Sequence, residues 1–288
     1  MPGNNEPYWL GRATEEQQRL IKQHYIWTKA IGYLLHPSIV KTLPKDARIA
    51  DIGTGTGIWP SELSKASPPT YQFTGFDISS NLFLPADSLP SNVTLQLGNF
   101  KEPFPEALHG KFDVVNARLL ISALGEGAWE PALQNILQLL KPGGAICWTE
   151  GDFVGSRAYR GADPNSTPGH ALTRAGFHFM TLMKKRFGFN FPDFRELFEG
   201  GGLERVEEDV LSSDRLVEQR GDFNEVQAGA ILTGLRNMAL RKEKGEPGTE
   251  AFWDVQEVER TRALAVQEME SGAYMRCDIH VTIGFKKA

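Results

Sequence analysis

Hydrophobic and polar positions follow one another here in two rhythms, a helical one at the start and a strand-like one soon after. Leu20, His24, Trp27, Ile31 and Leu34 recur at alternating steps of four and three, one face of a helix. Thr14 with Gln17 three residues on fits a capping box at its beginning. Pro37 marks its end, because the residue before a proline avoids helical dihedrals. From Arg48 short apolar runs take over. "RIADI" predicts a first strand, "GIWPSELSKA" the helix after it, and "YQFTGFD", "NVTLQLGNF" and "FDVVNARLL" three more strands. Residues 129–140 are amphipathic, with Leu133, Ile136, Leu137 and Leu140 on one side. "KPGG" then stops that helix: Lys141 suits its negative end, Pro142 cannot continue it, and Gly143 supplies a left-handed turn. "AICWTE" is a fifth strand. Strands alternating with helices predict a doubly wound parallel sheet covered on both faces.

After Glu150 the rhythm breaks. Residues 151–168, rich in Gly, Pro, Ser and Asp, read as a loop. Residues 169–187 are helical, with Leu172, Phe179, Met183 and Phe187 on one face, and 223–241 form a second inserted helix on Ile231, Leu235 and Met238. Between them "EGGG" is a turn and "GLERVEEDVL" a strand; 249–270 is another helix. In "CDIHVTIGFKK", Cys277, Ile279, Val281, Ile283 and Phe285 alternate with Asp278, His280 and Thr282, which suits a half-buried antiparallel strand. Neither an internal repeat nor a low-complexity segment is present.

Composition narrows the class. A chain of 288 residues with 41% hydrophobic content can bury a sizeable core. A net charge of -5 gives no reason to expect nucleic acid or an acidic membrane as partner. The sequence has no run of about 18 apolar residues and no signal peptide at its start. Cys147 and Cys277, both in strand-like runs, suit buried thiols in a reducing compartment, so a cytoplasmic protein is expected. No His, Cys or carboxylate grouping has metal spacing, and no metal is expected.

The candidate chemistry centres on "ARIADIGTGTGIWP", residues 47–60. A glycine turn after a first strand lets backbone N–H groups and a helix N-terminus approach a ligand closely. A dinucleotide fingerprint needs its third glycine three residues after the second, and that position is Ile58. The GxGxG of Gly53, Gly55 and Gly57 instead follows an acid, Asp51. A carboxylate there repels a pyrophosphate and attracts a cation. S-adenosylmethionine, with an ammonium, a sulfonium and no phosphate, fits.

"DIGTGTGIW", "GFDIS" 22 residues downstream of Gly53, "GNF" and "KPGG" together resemble the ordered motifs of class I S-adenosylmethionine-dependent methyltransferases over about residues 47–150. More narrowly, "RLIKQHYIW...LLHPSI" and "LHGKFDVVNARLL" resemble fungal secondary-metabolite methyltransferases, such as the N-methyltransferases of epipolythiodioxopiperazine pathways. The resemblance implies an α/β fold: a mostly parallel, Rossmann-like seven-stranded sheet. It also implies a helical lid over 1–46, a cofactor-binding core over 47–150, and over 151–288 inserted helices capping the substrate plus the closing strand pair.

The resemblance also assigns roles. Asp51 would hold the methionine ammonium, and Gly53, Thr54, Gly55 and Gly57 would let the backbone lie against the cofactor. Asp77, with Ile78 beside it, would accept from both ribose hydroxyls; alternatively it caps the next helix. Asn99 stands where the family usually places an acid on the adenine amine, and its amide carbonyl can still accept. Phe100 either packs on adenine or is core, and Asn116 meets the methionine part. Arg118 pairs either with the cofactor carboxylate or with a surface acid.

His24 is either a satisfied core histidine or, on a lid helix, a general base. Glu150 and Asp152 are rival bases that otherwise orient substrate. His170 and His178 read as surface or pocket wall, while Trp27, Trp148, Phe177 and Phe179 either line an apolar pocket or are core. Methyl transfer to nitrogen, oxygen or sulfur of a small, fairly apolar metabolite follows, with a homodimer possible. Three other readings stand beside it: a cofactor-assisted cyclisation, a regulatory methyltransferase-like protein, and a dinucleotide oxidoreductase.

Overall fold

The structure, a computed structural model, describes residues 14–160 and 169–288, with side chains other than those of Thr14, Arg186 and Phe187. Thr14's part in the expected capping box, Phe187's place on a helix face and the stretch 161–168 therefore lie outside the described residues. In chain order the elements are α1 (Thr14–Ile31), α2 (Pro37–Val40), β1 (Arg48–Ile52), α3 (Ile58–Lys65), β2 (Gln72–Asp77), β3 (Val93–Leu97), β4 (Phe112–Arg118), α4 (Trp129–Gln138) and β5 (Leu140–Gly151). Then follow β6 (Arg157–Tyr159), α5 (His170–Phe187), α6 (Phe194–Gly200), β7 (Leu203–Ser212), α7 (Arg220–Glu243), α8 (Val255–Glu270), β8 (Tyr274–Arg276) and β9 (Asp278–Lys286).

The chain divides into two compact units. Among the described residues the sheet unit holds 14–151, 192–211 and 279–288. Its seven strands run in the order β3-β2-β1-β4-β5-β9-β7. β1 to β5 pair in parallel and β9 runs antiparallel to β5. The expected doubly wound sheet is therefore present, with one antiparallel strand inside it. The apolar runs explain the parallel part, since a strand covered on both faces is hydrophobic at nearly every position: Ile49, Ala50, Ile52, Val114, Val115, Ala117 and Ile146 are all buried. On one face Trp148 packs against Trp129 of α4 and Phe194 of α6.

Several boundaries differ from the sequence reading. α1 stops at Ile31, where Gly32 turns left-handed at φ 95°, while Pro37 opens α2 instead of ending α1. A glycine C-cap wins because it satisfies the last carbonyls, and proline is welcome at a first helical turn. "KPGG" lies within β5: Leu140 pairs with Phe112, the register shifts, and pairing resumes at Ala145 with Val114. β9 is interior, so Thr282 is buried along with the expected apolar face. Glu199 and Gly200 of "EGGG" close α6. Cys277 sits between β8 and β9 and not in a strand; both cysteines are free and buried.

The helical unit holds residues 152–191 and 212–278 among those described. α5, α7 and α8 pack together, and α8 begins at Val255, six residues after the expected start. β6 and β8 form a two-stranded antiparallel sheet where a loop was expected. Buried polar groups tie this unit. Asn224 donates to Ala273 O and accepts from Met275 N, both at 2.8 Å. Glu268 caps α5 from outside, accepting from the N–H groups of Ala171 and Leu172. Among the described residues no helix is long and apolar enough to cross a membrane.

Candidate functional site

The sheet register brings three predicted residues together. β1, β4 and β5 align Asp51 with Asn116 and Asn116 with Cys147. Residues matched across a ladder project from the same face. Asp51 is 4% exposed, and its carboxylate accepts from Thr54 Oγ1 at 2.6 Å and Asn116 Nδ2 at 2.7 Å. Burial raises it to about 6, against those two hydrogen bonds and the charge of Arg118, which pull it down.

Gly53, Gly55 and Gly57 all have positive φ, 63°, 57° and 81°. The turn is closed by Thr54 N to Phe76 O at 2.9 Å and by Gly55 N to Asp77 Oδ2, also at 2.9 Å. The other Asp77 oxygen accepts from Ser79 N at 3.1 Å. A side chain at Gly53 would put its Cβ 2.3 Å from Leu120 Cδ2. Glycine is therefore required there twice over, by backbone conformation and by contact.

The helix α1 lies against this turn. Gln17 Nε2 donates to the carbonyls of Leu82 and Phe83, and Leu20 Cδ1 stands 3.4 Å from where a Gly55 Cβ would be. His24, 1% exposed, meets Arg118 with its Nδ1 at 3.0 Å from the guanidinium. Burial first, and the Arg118 charge second, lower His24 to about 3, so the ring is neutral. A guanidinium has no lone pair to offer, so Nδ1 is the acceptor and Nε2 carries the hydrogen. Burial also lowers the affinity of Arg118 for its own proton, opposed by the charge of Asp51.

Glu150, fully buried at the end of β5, behaves differently. Its Oε1 accepts from Leu120 N at 2.6 Å and Trp148 Nε1 at 2.9 Å, and Oε2 is buried without a partner. Burial pushes it up to about 8, so at neutral pH it is mostly a carboxylic acid. Leu119, next to these contacts, sits at φ 58°. For a branched side chain that conformation costs about 1–2 kcal/mol and persists only where neighbours fix it.

The other expected residues fall in distinct places. Asn99 is half-buried; it accepts from Lys101 N and donates to Glu102, both at 3.1 Å. Phe100 is buried, and Ile78 presents an apolar surface to solvent beside Asp77. Asp152 accepts from Gly155 N in a local turn. His170 is exposed, and His178 stacks on Trp253 with centroids 4.2 Å apart. Trp27 and Trp148 are buried, Phe179 packs on Gly234, and Phe177 is exposed. Among the described residues no group of three His, Cys, Asp or Glu is placed to hold a metal.

Sequence reasoning missed Leu119, Leu120, Gln17 and Leu20. Only the glycine spacing hinted that something must press on the turn.

Comparison with known proteins gives a consistent result. A family described as a methyltransferase domain matches residues 22–204. A methyltransferase, grgD, from a Penicillium species is 32% identical over 97% of this chain and 96% of its own. An N-methyltransferase, tcpN, from Claviceps purpurea is 35% identical over 50% of this chain and 51% of its own. Phosphoethanolamine N-methyltransferase 2 of Haemonchus contortus was solved with phosphomonomethylethanolamine and S-adenosylhomocysteine. It is similar in fold, with a TM-score of 0.53, 15% identity, and coverage of 100% of this chain and 62% of that one.

Proposed function

Because this chain belongs to the methyltransferase-domain family, we propose that it binds S-adenosylmethionine at the glycine turn and methylates a nitrogen of a small, fairly apolar metabolite. The observation that carries the reading is a buried carboxylate, Asp51, held by Thr54 and Asn116 beside three left-handed glycines. Its donors are neutral, so its charge stays uncompensated except by Arg118, and a cationic amine completes it. The residues fit the cofactor in other respects. The glycines at 53, 55 and 57 allow the left-handed backbone that carries the turn past the end of β1. Asp77 ends β2 beside the turn, where a carboxylate would meet ribose hydroxyls, and Ile78, Asn99 and Phe100 follow at the ends of β2 and β3, where an adenine would rest.

When bound, the sulfonium supplies an already activated methyl group. The protein's own task is then alignment, which provides on the order of 7–11 kcal/mol in favourable cases. Asp51 and Arg118 fix the two charged ends of the amino-acid part. α1, through Gln17, Leu20 and His24, acts as a lid over the turn.

The base candidates point to the acceptor atom. His24 has its Nδ1 engaged by Arg118 and is too weakly basic for efficient proton removal near pH 7. Glu150 is already protonated there. We therefore assign His24 to orienting Arg118 and favour an amine, nucleophilic without a strong base, over a hydroxyl. The N-methyltransferase names of tcpN and of sirN from Leptosphaeria maculans support the same choice.

Calorimetry with S-adenosylmethionine and S-adenosylhomocysteine tests the cofactor, and labelled methyl transfer into amine-bearing fungal metabolites tests the reaction. Absence of heat for either nucleoside refutes the reading. Turnover without release of S-adenosylhomocysteine replaces transfer by a cofactor-assisted rearrangement.

A further inference from the structure

We infer that Glu150 is a positioning residue: its buried carboxyl holds the turn at residues 118–121 so that Leu120 stays seated on the cofactor's glycine turn and Arg118 stays turned toward His24. The inference rests on the cofactor reading given above and deepens it.

Side chains alternate along β5, so Glu150 shares the face of Trp148, whereas Cys147 and Thr149 share the face of Asn116 and Asp51. Glu150 is thus on the side of the sheet away from Asp51. It is sealed by Trp148, which packs against Trp129 and Phe194. A fully buried carboxyl in that place does not meet an acceptor's proton. What it meets is backbone.

Its Oε1 accepts from Leu120 N, and the Ile121 N–H also bonds to the carboxyl. Those groups open the single 3-10 turn Ile121–Ala123, whose N-cap residue, Leu120, makes no side-chain cap of its own. Glu150 therefore caps the turn from a strand 30 residues away. The same turn is pinned on its other side by Leu119 N to Thr149 O at 3.0 Å. Between these two anchors Leu119 is held left-handed at φ 58°. That kink separates the direction of Arg118, toward His24, from that of Leu120, whose Cδ2 fills the space a Gly53 Cβ would need. Release of the carboxyl cap frees Leu119 to relax, and both contacts shift together.

Burial raises Glu150 to about 8. The groups packed on it, Trp148, Leu120 and Ile121, carry no charge. Its ladder partner on β9 is His280, which is paired with Glu208 at 2.9 Å, and Arg118 ends β4 nearby.

The test uses the full chain with S-adenosylmethionine and S-adenosylhomocysteine as calorimetric probes at pH 7. Glu150→Gln keeps an acceptor for the two N–H groups, so its affinity is expected within about threefold of wild type. Glu150→Leu, which removes the acceptor, should weaken binding at least tenfold while circular dichroism stays native. Leu120→Ala should weaken it too, with no further loss in the Glu150→Leu/Leu120→Ala pair.

A folded Glu150→Leu protein with wild-type affinity overturns the inference. If Glu150→Leu does not fold, Leu120→Ala decides: wild-type affinity in that variant also overturns the inference. Failure of the wild type to bind either probe refutes the cofactor reading instead.

Discussion

Substituting Asp51 by asparagine separates charge from shape at the centre of the site. The amide can keep both native contacts, because Thr54 Oγ1 can turn to accept and Asn116 can still donate to the remaining oxygen. Only the negative charge goes. If the ionised form alone binds the cationic donor, the apparent dissociation constant scales as one plus ten raised to the difference between the pKa and the pH. With Asp51 at about 6, binding is within about 10% of its limit at pH 7 and roughly 11-fold weaker at pH 5. A charge-assisted hydrogen bond contributes about 1.5–3 kcal/mol, so Asp51→Asn should bind about 10- to 150-fold more weakly at pH 7. Its affinity should also be flat down to pH 5.

Stability should move the other way. Asp51 is raised in the folded state, so the folded chain holds more protons than the unfolded one between about pH 4 and 6. Its contribution to stability is full below pH 4 and lost as pH climbs through 6. A shift of about two pH units corresponds to about 3 kcal/mol at most. Asp51→Asn should accordingly melt several degrees above wild type at pH 7 while binding less. Calorimetric titration at pH 5, 6 and 7 and scanning calorimetry of both proteins decide it. A wild-type affinity unchanged between pH 7 and 5, or a variant that keeps the wild-type slope, refutes the assignment of Asp51 as the ammonium's partner.

Three further outcomes follow from the geometry. Gly53→Ala combines a left-handed backbone with a contact at 2.3 Å to Leu120, and should destabilise by about 2–4 kcal/mol in a urea titration; Leu120→Ala in the same chain should recover only the contact part. His24→Gln keeps an acceptor near Arg118 and should leave cofactor affinity within a few-fold, while His24→Leu strands the guanidinium and should weaken binding by tenfold or more, a difference that calorimetry resolves. Asn224→Ala removes two buried backbone contacts between α7 and the 273–275 segment and should cost about 2–4 kcal/mol, with hydrogen exchange quickening at Met275.

The sheet was legible because burial on both faces writes itself into composition. "RIADI" matches β1 residue for residue, and the strands after it differ only at their ends. Elements without that signature escaped. Arg157, Ala158 and Tyr159 of β6 show no alternation, and they become a strand only by pairing with β8, 117 residues further on. The site divides along the same line. Asp51 and Asn116 end apolar runs at matching depth, so their meeting follows from parallel register. His24 was placed on the right face of α1, but its partner, 94 residues away, was not readable. Leu119 was invisible, because nothing in a leucine announces a left-handed backbone. Its conformation is imposed by Glu150 and Thr149 from another strand.

The charges around the glycine turn also say what the site should prefer at each stage of a turnover. Asp51 and Asp77 are carboxylates that repel one another, Arg118 is a half-buried cation whose field reaches Asp51, and His24 is neutral. Their sum is one negative charge. An amino-acid ammonium and carboxylate would pair with Asp51 and Arg118, and a sulfonium would cancel the remaining charge. Once the methyl group has left, the sulfur is neutral and that compensation is gone. The demethylated product would therefore lose the donor's attraction to the remaining charge. The same carboxylate pair that gathers the donor thereby favours exchange of product for donor after each transfer. Without Arg118, the two acids would instead raise each other's proton affinity and neutralise the site. Arg118, kept in place by His24 and by the kink at Leu119, therefore adds to the hydrogen bonds from Thr54 and Asn116 in holding Asp51 charged at a buried turn.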